Sequence, residues 1–226
     1  MDFMRLLKSI EELLYELVFW LLFYPLTMWR TLRHPEAMMR YADVELSDRV
    51  AEQYTDTLSP PLFLLITLLL AHGLELAMLT QETAGTLPPL LRNDSNLLMF
   101  RAVSFSILPL LMAVKLLRHR GTPLDRNTLR QPFYSQCYVA APFAFAVSFA
   151  TLLTRAGNAT ALVVGLVLLA ISFIWYVTIE TRWFKSDLGL SAPRAAFKVM
   201  VTLLQALMAI IVLGVLIVYG TGTRPV

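Results

Sequence analysis

The chain has 226 residues, 57% of them hydrophobic and 15% charged, with a formal net charge of +3 and a mean hydropathy of +0.63. Soluble domains carry about a quarter charged residues, and a globule of this size exposes much of its chain, so one water-soluble core cannot hide so much apolar surface. The single cysteine, Cys137, excludes an internal disulfide, and His34, His72 and His119 are too scattered for zinc-site spacing.

In residues 1–29, Glu11, Glu12 and Glu16 precede the apolar part and Pro25 and Trp29 follow or interrupt it, which is not the order of a secretory signal. Phe3, Leu6, Leu7, Ile10, Leu13, Leu14, Leu17, Val18 and Leu21 recur at helical spacing, while Arg5, Lys8, Glu11, Glu12 and Glu16 occupy other faces. That period predicts an amphipathic helix over residues 2–24, lying in the membrane interface with its later part deeper. Trp20, Phe23, Tyr24 and Trp29 suit the headgroup level as anchors. Only thirteen residues separate Glu16 from Arg30, too few to cross a bilayer. The alternative for this helix is packing against another protein's helix. Residues 30–59 form a short cytoplasmic segment with at most two short helices, one of them starting at Ser47 as N-cap of "SDRVAEQY". That is too little chain for an enzyme domain.

From residue 60 to 226 the sequence reads as a transmembrane domain of five spans, about residues 61–80, 97–117, 132–154, 160–179 and 199–219. The expected fold is therefore an all-α integral membrane protein, five transmembrane helices preceded by an amphipathic interfacial helix. Glu75 lies about 7.5 Å below the outer end of span one and Arg101 about 6 Å below the same boundary on span two, at 1.5 Å per residue. Two opposite charges at matched depth relieve each other's burial cost, which predicts a Glu75–Arg101 contact. His72, one turn below Glu75, and Ser104, one turn below Arg101, extend the polar strip. It reads either as a site for a lipid headgroup, ion or proton, or as a clasp between spans one and two.

Pro109 and Pro142 fall inside spans two and three, where neighbouring helices can re-satisfy the backbone that a proline frees. Gln136 and Gln205 suit hydrogen bonds between helices. Cys137 sits where acylation is conceivable, or serves as a small apolar residue. The two short outer loops each hold an N-x-S/T acceptor, at Asn93 and Asn158. There is no phosphate-cradling glycine loop, G-x-S-x-G or H-E-x-x-H motif, and no cofactor or nucleic-acid signature. The expected partners are membrane lipids and either further copies of the chain or a larger membrane complex.

Lys and Arg number six, one, five, one, four and one in the successive segments between spans. Cytoplasmic loops retain such residues and translocated loops lose them, so the amino end is expected in the cytoplasm and the carboxyl end outside. Arg118, Arg120, Arg126, Arg182 and Lys185 then form a basic cytoplasmic rim that attracts anionic lipid.

Four stretches carry a family likeness: "TLRHPEAMMRY", "YTDTLSPPLFLLITLLLA", "FYSQCYVAAPFAFAVSFATLL" and "LGLSAPRAAFKVMV". Over roughly residues 31–218 the chain resembles the YIP family, the Ypt-interacting five-span membrane proteins, and their bacterial relatives. Where that family usually has Gly-Pro before span one, this chain has Ser59-Pro60-Pro61. The resemblance implies a non-enzymatic membrane protein with no catalytic residues. The first expectation is a scaffold or adaptor, in a bacterial inner membrane on the Ala-, Leu- and Arg-rich composition. The second is a small transporter or lipid-moving permease using His72, Glu75 and Arg101. The threading is checked by a topology reporter fused after Val226, expected to report only from the outer face, and by labelling beside Arg92 in intact cells.

Overall fold

A computed structural model of the chain describes residues 2–49, 52–78 and 94–221. These residues form seven helices: α1 (Asp2–Arg33), α2 (Pro35–Glu45), α3 (Pro60–Met78), α4 (Asp94–Arg120), α5 (Arg126–Thr154), α6 (Ala159–Leu188) and α7 (Ala192–Thr221). Five of them, α3 to α7, are long and apolar enough to cross a membrane. Leu79 and Thr80 of the first expected span, Asn93, Arg92 and Arg224 lie outside the described residues.

Four of the five long helices run beyond their apolar windows at the end where Lys and Arg concentrate. Thus α4 continues to Arg120, α5 starts at Arg126, α6 continues to Leu188 and α7 starts at Ala192. Backbone hydrogen bonding can continue where hydrocarbon stops, so hydropathy marks the apolar length and not the helix length. Local chemistry sets several ends. Asp125 accepts from the backbone N–H groups of Asn127 and Thr128 in a capping box, and those bonds hold its carboxyl below the usual range. Asn158 caps α6 by accepting from the Ala161 N–H at 2.7 Å, and Gly189 ends it at φ 62°, a conformation that favours glycine. The acceptor asparagine read from the sequence is thus engaged as a helix cap.

α5 is the hub, packed against α1, α2, α3, α4 and α6. Its stretch Cys137 to Ala141 is fully buried, and Ala140, Ala141 and Ala144 let neighbouring backbones come close. One apolar cluster joins Phe63, Leu64 and Leu68 of α3 to Tyr138 and the alanines of α5. A second joins Met112 and Leu116 of α4, Val139 of α5, Tyr176 and Phe184 of α6 and Val199 of α7. α2 lies across both, with Met38 in the first and Met39 in the second.

α1 is one helix past the expected limit of residue 24, with Pro25 inside it. Its two halves differ. Described side chains from Met4 to Val18 are exposed whether apolar or charged, so burial there separates no two faces. From Phe19 onward an inward face appears: Phe19, Trp20, Phe23, Tyr24 and Met28 pack on the first cluster, and Thr27 and Thr31 are fully buried. The opposite face carries exposed Leu21, Leu22, Leu26 and Trp29. A stretch apolar all round is built for hydrocarbon surroundings.

Residues 46–59 hold no second helix among the described residues. Ser47 donates to the Val44 carbonyl and ends α2 instead of starting another helix. The stretch before α3 is a buried strap, with Tyr54, Thr57 and Leu58 all in the core. Tyr54 has φ 56°, costly for an aromatic residue, and is held by the Glu45 carboxylate on its N–H.

α5 and α6 pack closely at Gly165, where a Cβ would stand 2.8 Å from the Ala150 carbonyl oxygen and 3.1 Å from the Thr154 nitrogen. Gly165→Ala is therefore expected to lower stability by about 1–3 kcal/mol through overpacking against backbone. Gly73→Ala, with nothing within 4 Å of its Cβ, is expected to be neutral or stabilising. Thermal unfolding in detergent compares the two.

Candidate functional site

At the end opposite the basic rim, α3, α4 and α5 converge on one carboxylate. Glu75 forms an ion pair with Arg101 Nη2, and its other oxygen lies 3.4 Å from Arg155 Nη1. Arg155 is the residue that caps the C-terminal end of α5. His72 Nδ1 is 3.4 Å from Arg101 Nη1, and Ser104 is buried with its Oγ unpartnered among the described residues. Glu75 and Arg101 are mostly buried and Arg155 is half exposed. Two guanidiniums on one carboxylate leave the cluster with one net positive charge. It can clasp three helices and retain donors for an anion; it has no activated nucleophile.

The third member, Arg155, was not visible as such in the sequence, where it served only as the lone cation of an outer loop. The signal was available: the end of span three lies at the depth of Glu75 and Arg101.

The basic end holds a larger polar arrangement. Asp56 accepts from Arg30 Nη1 at 2.9 Å and from the Tyr41 hydroxyl at 2.6 Å. Thr57 Oγ1 donates to the Tyr41 oxygen at 3.2 Å and stands 3.4 Å from the Tyr138 hydroxyl, which donates to the Leu58 carbonyl at 2.9 Å. The Leu58 N–H donates to Thr27 Oγ1. One strap residue after another is thereby tied to α1, α2 and α5. Partial burial alone would raise the Asp56 carboxyl, but the bonds from Tyr41 and Arg30 and the Arg30 charge hold it below its ordinary range. Asp43 is shifted the other way, because burial outweighs the Ser135 hydroxyl donating at 2.5 Å and the nearby Arg120. Burial likewise pushes the Tyr41 phenol up.

Between α5 and α6, Gln136 Nε2 donates to Glu180 Oε2 at 3.1 Å, both side chains fully buried. Tyr176 stands beside Glu180, and the buried Trp183 N–H has no hydrogen-bond partner among the described residues. Gln136 thus bonds between helices as its type suggests, whereas Gln205 is exposed on α7. Glu180 did not stand out in the sequence because it follows directly on the apolar window of span four.

Of the rim residues, Arg120 is bound by both oxygens of Asp187, and Arg182 lies 4.0 Å from Glu36. Arg118, Arg126 and Lys185 are exposed and make no ion pair among the described residues. Among the expected anchors, Trp20, Phe23 and Tyr24 pack against the core, with the Tyr24 hydroxyl donating to Thr67 at 3.2 Å. Trp29 is exposed under the Arg33 guanidinium, 5.9 Å from the ring centre. Cys137 is buried and free. Among the described residues no group of three or more His, Cys, Asp or Glu side chains is placed to hold a metal.

The fold defines an all-α membrane protein with five helices able to cross, tied together by polar clusters at both ends. No protein-family model matches the chain, and neither the curated proteins nor the solved structures contain a match.

Removing the carboxylate strands two guanidiniums, whereas removing Arg155 leaves the Glu75–Arg101 pair intact. Glu75→Gln is expected to cost about 1–3 kcal/mol, and Arg155→Gln less than about 1 kcal/mol because that pair is partly solvated. Glu180→Ala is expected to cost more than Glu180→Gln, because the amide can still accept from Gln136. Thermal unfolding of the four variants in detergent gives the order.

Proposed function

We propose that the chain is a non-enzymatic scaffold or adaptor of a bacterial inner membrane, with its amino end in the cytoplasm and its carboxyl end outside. The observation that carries this reading is the division of α1. Its second half is packed into the bundle, while its first half, continuous with it, stands clear with Leu7, Ile10, Leu13, Leu14 and Leu17 exposed. A stiff helix anchored at one end and apolar along the other is a docking arm for lipid or for a helix of another membrane protein. The described polar clusters favour this role because each joins helices: Glu75 ties three, Asp56 ties the strap to α1 and α2, and Asp187 ties α6 to α4.

The resemblance to the YIP family fits the same reading, since its eukaryotic members recruit small GTPases and the family offers no catalytic residues to carry over. Further copies of the chain or a larger complex are the proposed partners. The competing role, a small transporter using His72, Glu75 and Arg101, draws on the Ser104 hydroxyl beside that cluster, unpartnered among the described residues. Transport sites sit near the midplane on broken helices, whereas these charges sit at one end.

Deletion separates the two roles. Removing residues 2–16 spares the inward face that begins at Phe19, so the bundle is expected to unfold at the wild-type temperature while co-purification of a stoichiometric membrane protein is lost. Proteoliposome flux of lipid or solute by the purified chain, abolished by Glu75→Gln, would overturn the adaptor reading.

A further inference from the structure

Between α4 and the first turns of α5 runs a groove of about 1030 Å³. Val103, Ile107 and Leu110 line its α4 wall at three- and four-residue spacing, so they share one helix face. Phe133 continues the apolar wall on α5, and Arg126 and Arg130 stand at the mouth. The α4 residues lie within the apolar window of that helix, and both arginines precede the apolar window of α5, which starts near Pro132. The groove is therefore apolar at hydrocarbon depth and cationic at headgroup depth.

Arg126 and Arg130 are one turn apart, about 6 Å along the axis and on the same face. Both are exposed, and neither forms an ion pair among the described residues. The Arg130 guanidinium lies 5.3 Å from the ring centre of Tyr134, itself part of the groove, which keeps the charge beside the opening. Arg130 also lines a smaller hollow of about 340 Å³, together with Asp43. Arg120 and Arg182, the other rim arginines with acidic neighbours, are already matched by Asp187 and Glu36.

We propose that this groove binds one anionic glycerophospholipid from the leaflet at the basic end. Its phosphate sits between Arg126 and Arg130, and one acyl chain lies along Val103, Ile107 and Leu110. The match is of charge and of polarity: a guanidinium pair takes a phosphate by charge-assisted hydrogen bonds, and the apolar wall takes what the headgroup trails. The site depends on membrane embedding and not on the adaptor role, so either can fail alone.

Native mass spectrometry of the full chain in mild detergent tests it, with dioleoyl phosphatidylglycerol and dioleoyl phosphatidylcholine as probes. A single phosphatidylglycerol is expected to bind roughly 10- to 30-fold more tightly than phosphatidylcholine, the preference two surface cations supply. Arg126→Gln with Arg130→Gln should remove the preference while moving the lipid-free unfolding temperature little, because both residues are exposed and only the Arg130–Tyr134 contact is lost. Arg118→Gln with Lys185→Gln should keep it. Val103→Trp, which fills the apolar wall and leaves the rim intact, should weaken both lipids. An unchanged preference in the Arg126/Arg130 pair, or an equal loss in the Arg118/Lys185 pair, would overturn the site. So would a second copy of the chain that occupies the groove, seen as a dimer that Val103→Trp dissociates and phosphatidylglycerol does not.

Discussion

A polar side chain held away from water is costly unless it is hydrogen-bonded, and a partner on another helix also fixes which faces meet. This constraint explains why α5, the most buried of the long helices, is also rich in partnered polar groups. Ser135 reaches α2 through Asp43, Gln136 reaches α6 through Glu180, and Tyr138 reaches the strap through the Leu58 carbonyl. Three of four consecutive residues thus send hydrogen bonds to three different elements. Apolar contact holds helices together without fixing their rotation; these bonds specify which face of α5 meets which neighbour.

The two ends of the bundle solve the same problem differently. At the Glu75 end the chain provides charges on three helices and lets one carboxylate gather two guanidiniums. At the basic end it folds non-membrane segments back onto the bundle, so that α2 and the strap cover the helix ends. Met38 and Met39 show how closely this cover is fitted, since adjacent side chains enter separate clusters. The strap accepts a strained Tyr54 backbone and places Thr57 against Tyr41 of α2 and Leu58 against Thr27 of α1. A connection that merely joined α2 to α3 would have no need of that conformation.

The five long helices were legible in the sequence because hydrocarbon imposes a length and a composition on whatever crosses it, and both can be counted. The depth of Glu75 and Arg101 was legible for the same reason, since helical rise converts residue number into distance. What depends on lateral arrangement was not. Arg155 joins the cluster only because α5 is the third helix beside it. Glu180 looks like the first polar residue after a span until α5 supplies Gln136 opposite. In residues 54–58 the Tyr54 and Thr57 hydroxyls and the Asp56 carboxylate are satisfied by partners 12 to 81 positions away. Linear periodicity contains no information about such pairings.

The division of α1 follows from these same rules. Up to Glu16 the helix mixes charged and apolar side chains, and all the described ones are exposed. Beyond Glu16 no charge appears until Arg30, and the side chains turned away from the bundle are Leu21, Leu22, Leu26 and Trp29. The point at which charge disappears from the sequence is close to the point at which tertiary packing begins in the structure. The two halves are continuous in one helix that contains Pro25, and Tyr24 and Thr27 on either side of that proline tie the helix to Thr67 and to the strap.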